Sequence, residues 1–177
     1  MKAVFLKLPE PTWPRRLPPK VVVAIATLGP LGQRMPAPGT WGSAAGVLYT
    51  LALFRRANWA ETIVWTLLAC YLAVAITGEA ARRMGRVDPG EVILDEFVVM
   101  PLVFLGWHAG ATAAWPDGLV LLLGFGLFRF FDILKPLGIS RLQDWPGGWG
   151  IVVDDVAAAL AAGGVLQLGA WLWRLRG

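Results

Sequence analysis

The chain of 177 residues has little charge: 16% of its residues are Asp, Glu, Lys or Arg, against about 25% in an ordinary soluble domain. It has one cysteine, Cys70, so no intramolecular disulfide can form. It also lacks internal repeats and any Ser- or Gly-rich linker. With 56% hydrophobic residues and a mean hydropathy of +0.59, the composition excludes a disordered chain and argues against a water-soluble globule.

Positive charge is in modest excess, with sixteen Lys and Arg against twelve Asp and Glu. Such an excess suits nucleic acid, anionic lipid or an anionic substrate, and the balance alone does not choose among them. The first twenty residues are basic and rich in proline, and they contain no apolar run long enough for a signal-peptide core. We therefore expect a basic N-terminal arm at residues 1–20 and a single helical domain at residues 21–177.

Long apolar segments predict membrane helices. Three uncharged segments approach the roughly 20 residues needed to cross the hydrocarbon core, and two others are shorter or carry charge near one end. The five segments are residues 43–54, 62–78, 97–116, 119–134 and 156–173. The predicted fold is an all-α, polytopic membrane bundle of about five membrane-embedded helices, preceded by a short N-terminal helix.

The distribution of basic residues predicts the orientation of this bundle. If the five helices alternate in direction, the residues before Ser43 and the loops 79–92 and 135–150 share one side. That side carries most of the Lys and Arg residues, so it is expected to be cytoplasmic. Five carboxylates lie at helix ends on the same side, with one pair beginning the third predicted helix and another beginning the fifth. They are Asp95, Glu96, Asp132, Asp154 and Asp155.

These five acids have the chemistry of a magnesium site. Mg²⁺ prefers oxygen ligands and is commonly bound by two or three carboxylates, with water and substrate phosphate completing the shell. The carboxylates expected to bind the metal are Asp95, Glu96, Asp132 and Asp155. Asp154 lies about 100° from Asp155 around the helix and is expected to act in catalysis by positioning water. The alternative is that these acids are interfacial groups paired with arginines of the loop 79–92.

Basic and hydroxyl side chains near the acids predict a phosphate site. Arg129, Asp132 and Lys135 are spaced to share one helix face, so a carboxylate is flanked by two cations. This arrangement suits a phosphate that bridges metal and protein. The turn Pro-Gly-Thr-Trp-Gly-Ser adds the hydroxyls of Thr40 and Ser43 at a helix N-terminus, although an ordinary helix cap is an equally good interpretation. Since no protein nucleophile stands out, water activated by a metal is the simplest attacking group.

Four motifs in order resemble the phosphatidylglycerophosphatase A family. They are Pro-Gly-Thr-Trp-Gly-Ser at 38–43, Asp-Glu-Phe at 95–97, Arg-Phe-Phe-Asp with Lys-Pro at 129–136, and the stretch from Gly-Gly-Trp-Gly to Asp-Asp at 147–155. The resemblance covers residues 21 to 162. It implies a magnesium-dependent phosphatase of the bacterial inner membrane that converts phosphatidylglycerophosphate to phosphatidylglycerol and inorganic phosphate. The implied partners are this lipid and the bilayer, with no nucleic acid.

Three other functions are compatible with parts of the pattern. A divalent-cation transporter would carry acids near the membrane midplane rather than at helix ends on one side. A membrane phosphotransferase acting on nucleotide-activated alcohols would carry an Asp-Gly-x-x-Ala-Arg run, which is absent. A membrane scaffold would leave the clustering of the acids unexplained. The oligomeric state is left open by the sequence.

Overall fold

The computed structural model describes residues 9–107 and 110–176, and within these ranges every regular element is helical. The described residues form seven α-helices: α1 (Pro19–Ala26), α2 (Pro30–Arg34), α3 (Pro38–Leu53), α4 (Trp59–Met84), α5 (Leu94–Val103), α6 (Asp117–Leu134) and α7 (Gly148–Arg174). Three 3-10 helices accompany them at Trp13–Arg16, Ala111–Ala114 and Pro136–Asp144. The predicted all-α fold is therefore confirmed.

Local sequence signals define both ends of α4. The Asn58 side chain accepts a hydrogen bond from the Glu61 amide at 3.0 Å, and the Glu61 carboxylate accepts one from the Asn58 amide at 3.0 Å. This reciprocal capping box satisfies two amides that have no partner within the helix. At the other end, Gly85 adopts φ +67°, and the Arg86 amide donates to the Ala81 carbonyl at 3.2 Å. Glycine adopts this left-handed conformation without strain, so the helix ends there.

The helix α5 is the centre of the bundle. It packs against α3, α4 and α7, while α6 packs mainly on α7. The side chains of Val99, Met100 and Val103 are fully buried. Close helix packing depends on glycine: a Cβ on Gly148 of α7 would collide with the Val74 carbonyl of α4.

The number of membrane helices differs from the sequence prediction. By length and hydropathy, only α4 and α7 could cross a membrane among the described helices. The helix α3 has 16 residues, and α5 has 10 because it ends at Val103, so the continuous helix predicted over 97–116 is wrong. The helix α6 has 18 residues but carries charged side chains near both ends. The prediction of about five membrane helices is therefore not supported.

Large apolar side chains cover the outside of both candidate spans. On α4, Trp65 is 58% exposed and Leu67 54% exposed, and on α7, Leu168 is 54% exposed and Trp171 51% exposed. Soluble monomers rarely expose contiguous apolar surfaces of this kind. These faces therefore have the character of surfaces that contact lipid or another protein.

The described part of the N-terminal arm packs against the end of α4. The guanidinium of Arg83 donates to the backbone carbonyls of Leu17 at 3.0 Å and Pro14 at 3.3 Å. The same guanidinium pairs with the buried Glu79 carboxylate at 2.6 Å. Residues 1–8 of the predicted arm lie outside the described residues. The arm therefore contacts the bundle at the end where α4 finishes and α5 begins.

Candidate active site

The helices bring the predicted acids to one end of the bundle. Asp95 and Glu96 lie in the first turn of α5, and Asp132 lies in the last turn of α6. Asp154 and Asp155 lie further into their helix than the sequence predicts, because α7 begins at Gly148, almost two turns earlier. The prediction that this pair begins a helix is therefore wrong. Both residues lie beyond the first turn of α7, so they lack the stabilisation that a helix N-terminus gives to negative charge.

Arg129 connects three helices at this end. Its Nη1 atom donates to Glu96 Oε2 at 2.6 Å and to Ser43 Oγ at 3.2 Å, and it lies 2.8 Å from Asp132 Oδ2. The side chain is only 17% exposed, so these contacts occur with little screening by water. Its Nε is buried and has no partner within the described residues. One guanidinium therefore joins α3, α5 and α6 and retains an unused donor.

The first turn of α3 approaches Glu96 closely. Ser43 Oγ lies 2.7 Å from Glu96 Oε2 and 2.8 Å from the Gly39 carbonyl oxygen. A Cβ on Gly39 would collide with the Glu96 carboxylate, so any larger residue at this position would displace the end of the Glu96 side chain. Thr40, which carries the second predicted hydroxyl, is exposed, and that hydroxyl forms no hydrogen bond within the described part of the chain. The structure therefore brings Ser43 into the acid cluster and leaves Thr40 at its edge.

Lys135 provides a second cation between α6 and α7. The residue adopts φ +44° at the end of α6, immediately before Pro136. Its ammonium group donates a hydrogen bond to Asp154 Oδ2 and lies 3.9 Å from Asp132 Oδ1. Burial alone would lower the pKa of Lys135. The hydrogen bond to Asp154 and the neighbouring carboxylates have a larger combined effect, so the pKa is raised above its ordinary value. The ammonium group therefore stays charged beside the acids.

Three carboxylates at this end are buried and incompletely paired. Asp95, Asp154 and Asp155 are 6%, 3% and 2% exposed. One oxygen of each, Asp95 Oδ1, Asp154 Oδ1 and Asp155 Oδ2, has no hydrogen-bond partner within the described residues. A buried carboxylate without partners is unfavourable unless it is protonated or binds a cation. These three oxygens are therefore available to a proton or to a bound cation.

The pKa values in α5 reflect this crowding. Burial raises the pKa of Asp95 well above its ordinary value, and the negative charges of Glu96 and Asp88 raise it further. Burial raises the pKa of Glu96 to about 7, although Arg129 opposes this change. Burial is the largest cause of both shifts, because it disfavours the charged form of a carboxylate. A cation bound beside these carboxylates would oppose this effect.

Asp88 is a further acid of this end that the sequence analysis did not assign to the site. It lies in the loop between α4 and α5, is exposed, and lines a cavity of about 270 Å³ with Gly147 and Gly150. Partial desolvation raises the pKa of Asp88, with Lys135 opposing the rise and Asp132 adding to it. The sequence did contain one indication of this role: Asp88 lies in the loop 79–92, which is predicted to be on the same side of the membrane as the other acids of the cluster.

The residues fit a divalent cation in their chemistry. The unpartnered oxygens of Asp95, Asp154 and Asp155 are hard donors of the kind that Mg²⁺ prefers. Within residues 9–107 and 110–176, no three His, Cys, Asp or Glu side chains already form a set of metal ligands around one point. To coordinate a divalent cation, the carboxylates of the cluster would therefore have to rotate about their side-chain bonds until their oxygens surround one point.

Comparison with known proteins identifies the family. The model of the family described as PgpA, phosphatidylglycerophosphatase A, matches residues 24–170, a range that contains every residue of the cluster. The chain belongs to the phosphatidylglycerophosphatase A family. The chain is therefore a phosphatase, and the family resemblance found in the sequence is confirmed.

Three curated relatives illustrate the range of the similarity. Phosphatidylglycerophosphatase A of Haemophilus influenzae is 39% identical over 132 residues, covering 72% of this chain and 75% of that protein. A putative phosphatidylinositol-3-phosphatase of Bacteroides thetaiotaomicron is 29% identical over 140 residues, covering 77% and 85%. Phosphatidylglycerophosphatase A of Escherichia coli is 30% identical over 139 residues, covering 78% and 77%. No solved structure matches the chain.

Proposed function

We propose that this phosphatase hydrolyses the terminal phosphate monoester of phosphatidylglycerophosphate and releases phosphatidylglycerol and inorganic phosphate. One observation carries the proposal: buried carboxylates with unpartnered oxygens lie beside two partly buried cations, Arg129 and Lys135. Phosphate transfer requires both kinds of group, since the phosphate is anionic and a metal needs oxygen ligands. The two relatives named phosphatidylglycerophosphatase A support this choice of lipid.

Mg²⁺ is the proposed cofactor. The carboxylates proposed to hold it are Asp95, Glu96, Asp132 and Asp155, with Asp154 held beside them by Lys135. When bound, a metal of this kind polarises a phosphoryl oxygen and makes water a stronger nucleophile. The unpartnered oxygens of Asp95 and Asp155 support this assignment.

Arg129, Lys135 and the hydroxyls of α3 are the proposed phosphate ligands. The Nε atom of Arg129 has an unused hydrogen, and a guanidinium is well suited to phosphate oxygens. Lys135 supplies a second positive charge across the same cluster. Ser43 contacts both Glu96 and Arg129, so it fixes the position of Arg129 relative to the acids. Thr40 is exposed at the edge of the cluster, where a headgroup would enter.

The bacterial inner membrane is the proposed location, with a multi-pass fold and the acid cluster facing the cytoplasm. The two candidate spans and their exposed apolar faces support membrane residence. The excess of Lys and Arg near the acid-bearing end supports the cytoplasmic orientation. In this arrangement, the acyl chains of the substrate stay in the bilayer while its phosphate reaches the acids.

Phosphate release by the purified protein tests the proposal. The protein is given phosphatidylglycerophosphate or phosphatidylinositol 3-phosphate in mixed micelles, with Mg²⁺ or with EDTA, and an Asp155→Asn variant is measured in parallel. We expect release from phosphatidylglycerophosphate that requires Mg²⁺ and is lost in the variant.

Other results would contradict specific parts of the proposal. Absence of Mg²⁺-dependent release would refute the metal assignment, and full activity of Asp155→Asn would remove Asp155 from the site. Faster release from phosphatidylinositol 3-phosphate would replace the proposed substrate by the lipid that the Bacteroides relative is named for.

A further inference from the structure

A shallow apolar groove of about 320 Å³ lies between α3 and α6. It exists because α3 packs mainly on α5 while α6 packs mainly on α7, so the two helices leave a gap between them. None of the described residues that line it has a polar side chain. They are Ala44, Val47, Leu121, Leu122 and Phe125.

The groove begins at the phosphate ligands proposed above. Ala44 follows Ser43 directly, and Phe125 lies one helical turn from Arg129. The contact between Arg129 Nη1 and Ser43 Oγ, 3.2 Å long, joins the two helices at that end of the groove. At 1.5 Å per residue, the eight residues from Leu121 to Arg129 extend about 12 Å along α6. The guanidinium of Arg129, whose Nε has no partner among the described residues, therefore lies at one end, and an apolar surface continues from it.

We propose that this groove holds an acyl chain of the lipid substrate while the phosphate monoester lies against Arg129. The inference rests on the proposed function and adds a second recognition element to it. A charged end joined to an apolar groove is complementary to an amphiphile with a phosphate headgroup, and a water-soluble phosphate monoester would use only the charged end. The groove is thus the part of the molecule that selects a diacyl lipid.

An acyl chain in the groove would aid the reaction by orienting the lipid substrate. Lipid tails are as apolar as the groove, so moving a chain from the bilayer onto Val47 and Phe125 gives little hydrophobic driving force. A chain fixed between α3 and α6 instead restricts the headgroup to positions near Arg129. The groove is therefore expected to affect kcat/KM for lipids more than it affects stability.

A pair of substrates and two substitutions test the proposal. Val47→Trp fills the groove and Phe125→Ala widens it, and each variant is given dioleoyl phosphatidylglycerophosphate and its deacylated headgroup, glycerophosphoglycerophosphate. We expect kcat/KM for the diacyl lipid to fall about tenfold in Val47→Trp and a few-fold in Phe125→Ala, with a much smaller change for the deacylated compound.

Leu48→Trp is the matched control, because Leu48 is the next residue of α3, is 67% exposed and does not line the groove. It should leave the ratio of the two kcat/KM values unchanged. An equal fall for both substrates in Val47→Trp, or unchanged kinetics in both groove variants, would overturn the proposal. So would a change in oligomeric mass in Val47→Trp, since the groove would then contact a second copy of the chain. Failure of the unmodified protein to hydrolyse either compound would instead refute the proposed function.

Discussion

The two ends of the bundle differ in where their charge is buried. The larger cavity, about 650 Å³, lies at the end away from the acid cluster and is lined partly by Arg55, Asn58 and Trp59. The acids there are exposed and paired: Asp117 contacts Arg55 at 3.2 Å, and Glu61 belongs to the capping box of α4. At the acid cluster, by contrast, Asp95, Asp154 and Asp155 are buried and incompletely paired. The large cavity and the buried, unpaired charge therefore lie at opposite ends of the molecule, and buried charge without partners is the feature that is typical of functional sites.

The largest expected contrast between the two ends comes from neutralising one acid at each. Asp95→Asn removes a carboxylate proposed to bind metal, and we expect phosphate release to fall about 10²–10³-fold. In EDTA the same variant should unfold at a higher temperature than the unmodified protein, because a buried, crowded negative charge is gone. Phosphate release and thermal unfolding measure the two effects.

Asp117→Asn is the control at the opposite end, since Asp117 is exposed in a surface ion pair. Its activity should stay within about twofold of the unmodified protein, because surface pairs contribute little. Equal activity losses in the two variants would remove the distinction between the ends.

A second contrast uses the arginines of the two ends. Arg129→Lys keeps the positive charge but removes the planar guanidinium that reaches Glu96, Ser43 and Asp132 from one side chain. We expect kcat/KM to fall about 10–100-fold, and steady-state kinetics with phosphatidylglycerophosphate measure this. Arg55→Lys should have no measurable effect on the same assay. Unchanged kinetics in Arg129→Lys would mean that charge alone is needed at this position.

A third contrast concerns glycines that differ only in their surroundings. Gly39→Ala places a methyl group against the Glu96 carboxylate, whereas Gly126→Ala meets no atom within 4 Å. Because the end of a glutamate side chain can move, we expect Gly39→Ala to fold and to lose about tenfold in kcat/KM. Gly126→Ala should keep full activity and gain slightly in thermal stability, because alanine favours the helix. Similar kinetics for both variants would show that Glu96 tolerates displacement.

The smallest expected effect is a loss of stability without a loss of catalysis. Asn58→Ala removes the side chain that caps α4 at the end opposite the acids. We expect a loss of about 1 kcal/mol in the free energy of unfolding, which lowers Tm by about 2–4 °C for a domain of this size. Specific activity below the transition should be unchanged. A fall in specific activity would show that the two ends are coupled through α4.

The sequence predicted the acid cluster because charge is scarce in this chain. When few charged residues are available, carboxylates at the ends of apolar helices on one side of a bundle have few other functions, so their convergence can be inferred from helix order. Arg129 and Lys135 were predicted because helical spacing places them on the same face as Asp132, and Ser43 was predicted because it lies in a turn at a helix N-terminus. Their contacts with Glu96 and Asp154 depend on tertiary packing, and no local pattern encodes them.

Two features could not be obtained from local sequence. The short length of α5 was not predicted, because the sequence stays apolar beyond Val103 although the helix ends there. Hydropathy records apolar character, whereas the helix ends where its hydrogen bonding stops. Asp88 was missed because loop conformation, which hydropathy and periodicity do not describe, brings it towards Asp132 and Lys135.

The close packing of Gly148 has a consequence for how the protein tolerates variation. At this point, the backbones of α4 and α7 touch, and a methyl group on α7 would separate the two longest helices. Asp154 and Asp155 follow within two turns on the same helix, so they would move with it. Inactivating mutations should therefore include changes at residues with no functional group at all, and a genetic screen would recover Gly148 alongside the acids.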